Sequence, residues 1–292
     1  MGFGDKFKSL FKSSKVDIGE RFEILREAIS GTMSKFHQAR DRKTDQVVGL
    51  KICDLEKTNF FESRFKGLDK PPEGEIASLF EHPLIVKTLE HGTTTNDEHY
   101  VVMEYLEGPG LNVCIKRQPE VFLKNRLKVV LDMATALGVV HEQGYIHRDV
   151  CPRNFIYMKD GSGTKLIDFG LTVPATKFFL QPGNRTGTPN YMAPEIIRRK
   201  ATDHRVDIFA FGVTAFQTLT LQLPWPGEDV TGKAAISHDT KPPTDIMTLR
   251  PQLDPALGNA VMACLQRNAA DRPQHLQDFL RLIEAVKSQE IT

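Results

Sequence analysis

His147-Arg148-Asp149-Val150-Cys151-Pro152-Arg153-Asn154 is the stretch on which the reading of this chain turns. Fourteen residues beyond Asn154 stands Asp168-Phe169-Gly170. Further on, Gly187-Thr188-Pro189-Asn190-Tyr191-Met192 leads into Ala193-Pro194-Glu195. Upstream, Val48-Gly49-Leu50-Lys51 lies near the end of a strand-like run. Outward from this frame the chain changes character once. Arg21 to Leu25, Lys35 to Arg40 and Gln46 to Ile52 read as three strands of a meander, with a turn at Ser30-Gly31-Thr32. Lys57 to Pro72 is mostly polar, ends in two prolines and reads as a loop. A short helix from Glu73 to Phe80 and strands Val86 to His91 and Tyr100 to Glu104 follow. After Glu107-Gly108-Pro109-Gly110 the spacing becomes helical. Val121 to Gln143 forms one helix ending at Gly144, and further helices cover Asp203 to Leu219, Ala256 to Gln266 and Gln274 to Val286.

Composition narrows the classes. With 292 residues, 40% hydrophobic and 26% charged, the chain is ordinary globular material, long enough for one large domain or two lobes. Lys and Arg number 38 against 37 Asp and Glu, so charge makes no case for nucleic acid as a partner. Cys53, Cys114, Cys151 and Cys264 are too scattered for a zinc site or a disulfide framework, and a reducing, cytoplasmic setting is expected. No apolar run approaches the roughly 18 residues of a membrane span. His141 and His147 are six apart with Gly144 between them, so they do not share a zinc from one helix face. Asp160-Gly161-Ser162-Gly163 reads as a hairpin turn. Phe3, Phe7, Leu10 and Phe11 recur at helical spacing among Lys6, Lys8, Lys12 and Lys15. Residues 1–15 therefore read either as a basic amphipathic helix for a membrane surface or partner, or as an extension that packs on the domain or frays.

The motifs, in this order and spacing, resemble those of the eukaryotic-type protein kinase family, serine/threonine branch. Asp207 to Gly212 and Asp271-Arg272-Pro273 add to the likeness, which runs from about Arg21 to Val286. The resemblance implies an α+β, two-lobed fold: a small β-rich N-lobe with one regulatory helix and a larger helical C-lobe. Its boundaries are a segment 1–20, a kinase domain 21–286 (N-lobe 21–104, hinge 104–108, C-lobe 109–286) and a tail 287–292. It implies ATP and Mg²⁺ as cofactors and Ser/Thr hydroxyls of proteins as acceptors. Phosphoryl transfer is mostly positioning and charge neutralisation. By resemblance Asp149 handles the acceptor proton, Asn154 and Asp168 hold Mg²⁺, and Lys51 orients the phosphates with Glu73, or Glu75, as its partner. Ile29, Gly31, Phe36, Gly49, Met103 and Ile156 would line the nucleotide site, with Glu104 and Leu106 bonding the base through the backbone. Arg148 would pair with a phosphorylated Thr186, Thr172 and Thr176 being other candidates, and Thr188 would bond the catalytic loop. Glu195 would pair with Arg272.

Three positions depart from the family. Of the Gly-x-Gly-x-x-Gly loop only Gly31 remains in Ile29-Ser30-Gly31-Thr32-Met33-Ser34. Cys151 stands where serine/threonine kinases carry a lysine, and Arg153 is expected to replace its charge. Gly110 occupies the ribose-contact position. The reading is an ATP-dependent protein serine/threonine kinase that autophosphorylates its activation segment. Its rivals are a pseudokinase acting as a binding or scaffold module, favoured by the thin loop and Cys151, and a small-molecule kinase of related fold. The oligomeric state is left open.

Overall fold

The computed structural model describes residues 15–286 apart from 31–33, 66, 69, 183–185 and 227–232, and apart from the side chains of 27–30, 233 and 234. The basic segment up to residue 14, Gly31 and the tail 287–292 lie outside these. The chain divides into two compact units: residues 1–66, 72–78 and 87–105 form the first, and 67–71, 79–86 and 106–292 the second.

The first unit is a five-stranded antiparallel sheet of β1 (Phe22–Ser30), β2 (Ser34–Asp41), β3 (Gln46–Cys53), β4 (Thr88–Thr93) and β5 (His99–Glu104), in the order β1-β2-β3-β5-β4. Alternation along β3 sends Val48 and Leu50 into a core with Phe22, Ala39, Tyr100 and Val102, so Gly49 and Lys51 take the other face. One turn of helix, α1 (Ile18–Arg21), capped by Asp17, enters β1. It delivers Arg21 to Asp41 Oδ2 (2.9 Å) and to Glu90 Oε1 and Oε2 (2.5 and 2.8 Å), while Tyr100 donates to Glu90 Oε1 at 2.6 Å.

The expected loop after β3 is instead α2 (Leu55–Glu62), continued by a 3₁₀ turn at Ser63–Phe65. Asp54 Oδ1 caps it by accepting from the Lys57 N–H at 3.1 Å, and Phe61 and Phe65 are the side chains it buries, edge to face. With so few apolar anchors the segment shows no helical stripe. The helix expected over 73–80 is shorter, α3 (Glu73–Ala77), closed by Ser78, whose hydroxyl donates back to Glu75 O.

The second unit is helical: α4 (Leu111–Arg117), α5 (Glu120–Lys124), α6 (Arg126–Glu142), α7 (Pro194–Ile197), α8 (Arg205–Thr220), α9 (Lys233–Thr240), α10 (Ile246–Leu249), α11 (Pro255–Cys264) and α12 (Leu276–Leu282). The single helix expected over 121–143 is broken at Asn125, whose side-chain amide donates to Val121 O and whose N–H bonds Phe122 O, closing α5 before α6 begins. α8 is buried on nearly every side, as the central helix of such a unit must be, with α6 and α11 packed against it. Two small antiparallel pairs complete the unit. β6 (Tyr145–Ile146) pairs β9 (Val173–Pro174), and β7 (Phe155–Tyr157) pairs β8 (Thr164–Leu166) across the turn at Asp160–Gly163.

Candidate active site

In the first unit Lys51 lies on β3 with its side chain 8% exposed, and its Nζ is 2.5 Å from Glu73 Oε1. Glu75 is exposed, so Glu73 is the carboxylate that meets the lysine. Cys53, two residues on along the same strand, brings its thiol 3.9 Å from Glu73 Oε2. The register sets Gly49 opposite Met103 and Phe36 opposite Lys51. A methyl at Gly49 would sit 2.9 Å from both Met103 Cγ and Phe36 Cζ, so these two side chains use the room that the glycine leaves. Ile29 pairs with Phe36 in the β1–β2 register, and its side chain is outside the described set. Glu104 accepts the Lys87 N–H at 2.9 Å through Oε1.

In the second unit the loop between β6 and β7 carries the other set. Asp149 Oδ1 accepts the Thr188 N–H (3.0 Å) and the Thr188 hydroxyl (2.7 Å). Its Oδ2 accepts from Asn154 Nδ2 at 3.0 Å, and the same amide donates to Asp149 O at 2.7 Å. The carboxylate is thereby fixed from both sides. Arg153 donates to Thr188 Oγ1 at 3.0 Å, which puts a guanidinium one hydroxyl away from Asp149. Cys151 Sγ is 3.7 Å from the same hydroxyl. Cys151 is fully buried, and burial, helped by the charge of Asp149, pushes its thiol up to about 11, so it adds no charge near neutral pH. Asp168 Oδ1 accepts the Gly170 N–H at 2.9 Å, while Phe169 is buried, stacked on Phe80 and edge-on to His147. Ile156 lies on β7, bridged to Gly110, and Leu106 is half-buried.

The loop hangs on one carboxylate, which the sequence marked only as the start of the Asp207 to Gly212 stretch, with no role assigned. Asp207 on α8 accepts the backbone N–H groups of His147 (2.7 Å) and Arg148 (2.8 Å), and His141 Nε2 stands 2.9 Å from Oδ2. Burial alone would raise the Asp207 pKa. The His141 bond and the neighbouring N–H groups outweigh it and hold the carboxyl below its ordinary range. The partners lie 59 to 66 residues away, so no local pattern announces the contact. Arg148 takes φ +67, and its side chain is buried, donating to Phe179 O (3.0 Å) and Thr202 Oγ1 (3.2 Å). Its Nη1 is buried without a hydrogen-bond partner among the described residues, and burial lowers the guanidinium to about 10. Thr186 is also buried. Glu195 and Arg272 meet in a two-pronged pair at 2.7 and 2.8 Å. Among the described residues no cluster of three or more His, Cys, Asp or Glu forms a metal site, and no helix is long and apolar enough to cross a membrane.

A buried Lys–Glu pair on one face of a small antiparallel sheet and, in the helical unit, a loop whose aspartate is bonded by an asparagine amide are features of the protein kinase class. The chain belongs to the protein kinase domain family, which it matches over residues 22–282. It is 30% identical over 266 residues to serine/threonine-protein kinase pkn3 of Myxococcus xanthus, covering 88% of this chain and 48% of that protein. It is 28% identical over 273 residues to a probable serine/threonine-protein kinase of Clostridium perfringens, covering 92% and 39%. To serine/threonine-protein kinase PknB of Mycolicibacterium smegmatis it is 28% identical over 265 residues, covering 88% and 41%. The chain thus spans less than half the length of these relatives.

Proposed function

We propose that this chain is an ATP- and Mg²⁺-dependent protein kinase acting on Ser and Thr hydroxyls, with residues 21–286 as its catalytic domain. The observation that carries the reading is the double restraint on Asp149. Thr188 occupies Oδ1, and Asn154 turns its NH₂ to Oδ2. An amide whose nitrogen is spent on Asp149 keeps its oxygen for a cation, and with Asp168 it makes a hard-oxygen donor set suited to Mg²⁺ once phosphates complete the shell. The ion would neutralise charge on the phosphates. Lys51, held by Glu73, would orient them. Asp149 would take the proton of the acceptor hydroxyl. The new bond joins that oxygen to the γ-phosphorus, the bond from the γ-phosphorus to its bridging oxygen breaks, and ADP leaves with the electron pair.

Arg153 supplies the cation missing at Cys151, through Thr188. Ile29, Phe36, Gly49, Met103, Glu104, Leu106 and Ile156 would receive the nucleotide. Autophosphorylation of Thr186 belongs to the same reading, because Nη1 of Arg148, which has no partner among the described residues, is a buried charged donor that a phosphate oxygen would satisfy. A cytoplasmic setting and a peripheral contact through residues 1–15 complete it. The test is transfer of labelled phosphate from ATP with Mg²⁺ to a basic protein and to the kinase itself. Transfer to Ser or Thr that vanishes in Asp149→Asn is expected, and Thr186→Ala should leave a phosphatase-treated sample less active. A folded protein with no transfer above Asp149→Asn would mean a pseudokinase.

A further inference from the structure

The Lys51–Glu73 pair depends on a helix with little else to hold it. α3 has five residues, follows Pro71-Pro72, and its N-cap Pro72 offers no side-chain hydrogen bond. Glu73 is its first residue, so the carboxylate goes wherever the start of this turn is seated. Gly74, Ile76 and Ala77 are the residues it buries, Ile76 completely, and it packs on β4 and β5.

The seat is made at Gly74. A methyl placed there would fall inside the van der Waals envelope of His91 Cβ, 2.8 Å from His91 Cγ and 3.2 Å from Val101 Cγ2. His91 and Val101 are register partners on β4 and β5, so both belong to the sheet itself. The contact with a flexible tip could be relieved by rotation about χ1. The contact with His91 Cβ cannot, because that atom is bonded directly to the strand backbone. Sliding α3 outward along the sheet would uncover Ile76 and Ala77. The relief that remains is to lift the first turn off β4, and Glu73 is adjacent to the point that must lift. The pair is closed at 2.5 Å between Lys51 Nζ and Glu73 Oε1, so a lift of this turn opens the bond unless both side chains re-extend to follow it.

We infer that Gly74 is a positioning residue for phosphoryl transfer: its bare backbone, seated on His91 Cβ, sets the depth of α3 and so delivers Glu73 to Lys51. The inference rests on the kinase reading for its kinetic readout and on the sheet geometry for its structural one.

The experiment is a double-mutant cycle in the full chain with Gly74→Ala, His91→Gly and both together, beside Glu73→Gln. Gly74→Ala should lower kcat/KM for ATP at least about tenfold, in line with Glu73→Gln, because the Lys–Glu pair has to be in place for transfer. His91→Gly removes the obstructing carbon, so the double variant should return to within about threefold of wild type. A side chain that mattered only for folding would instead lower the melting temperature and leave the kcat of folded protein unchanged at low temperature. Crystal structures of wild type, Gly74→Ala and the double variant read the seat directly: the Lys51–Glu73 bond should be present, broken and restored. A Gly74→Ala protein that keeps the pair overturns the inference, as does one whose activity loss is not relieved by His91→Gly. If wild type transfers no phosphate, the kinase reading fails, and the crystal structures still decide whether Gly74 seats Glu73. If Gly74→Ala does not fold, the double variant decides: folding with the pair intact supports the seat, and failure to fold refutes it.

Discussion

Glu195→Ala tests how strongly one buried ion pair holds the second unit together. The Arg272 side chain is 0% exposed and that of Glu195 12%. The guanidinium gives Nη1 to Glu195 Oε1 and to Arg205 O, Nη2 to Glu195 Oε2 and to Arg267 O, and Nε to Gln266 O, and it lies over the Phe209 ring. Truncating Glu195 leaves a buried cation without its counter-charge, a change that costs about 3–5 kcal/mol. Nη1 and Nη2 each keep a backbone carbonyl, which places the loss at the lower end, about 3 kcal/mol, a large share of the 5–15 typical of a domain. Glu195→Gln keeps one acceptor and should lose roughly half as much. The assay is urea unfolding followed by the emission of Trp225, the single tryptophan, which is buried in this unit and therefore reports it alone. An Ala variant that loses less than about 1 kcal/mol, or a Gln variant that loses as much as Ala, would refute the reasoning.

Three further outcomes are expected. Thr188→Val removes the hydroxyl that joins Arg153 to Asp149 Oδ1, so kcat should fall about ten- to a hundredfold with little change in KM for ATP, and Thr188→Ser should recover most of it; steady-state kinetics decide. The Arg21 guanidinium, beside Glu90, holds that carboxyl below its ordinary 4.5. The stability this gives is complete above about pH 4.5 and is lost as pH falls through the lowered folded value, so the melting-temperature gap between wild type and Arg21→Leu should close with acidification. All four cysteines are buried, with Cys114, Cys151 and Cys264 raised to about 11 or 12 by burial, so a thiol reagent near neutral pH should label them only after unfolding.

What the sequence disclosed followed the range of the interactions. The meander of β1 to β3 was legible because alternation and turn residues are local signals. The loop from His147 to Asn154 stood out because its polar residues are held in one short stretch. α2 was not, since one capping aspartate and two buried phenylalanines leave no periodic stripe to read; the Asp54 cap was the signal available. The break at Asn125 was missed because the spacing of apolar residues continues across it, while a side-chain amide ends α5. The bond from His141 to Asp207 spans 66 residues, and no local spacing could reveal it. The same holds for Arg148, whose side chain reaches a carbonyl 31 residues away and a hydroxyl 54 residues away.

The hold of Asp207 on the His147–Asn154 loop bears on how that loop moves. The His147 and Arg148 amides end on a carboxylate that is fully enclosed on α8, the most deeply buried helix of its unit. Solvent reaches those two hydrogens only when their bonds to this enclosed carboxylate open, which needs the packing around α8 to loosen. Their deuterium exchange should therefore run at the rate of the slowest amides in α8, far behind the edge strand β4. The stretch from His147 to Asn154 is thus among the last parts of its unit to open, although it is a loop.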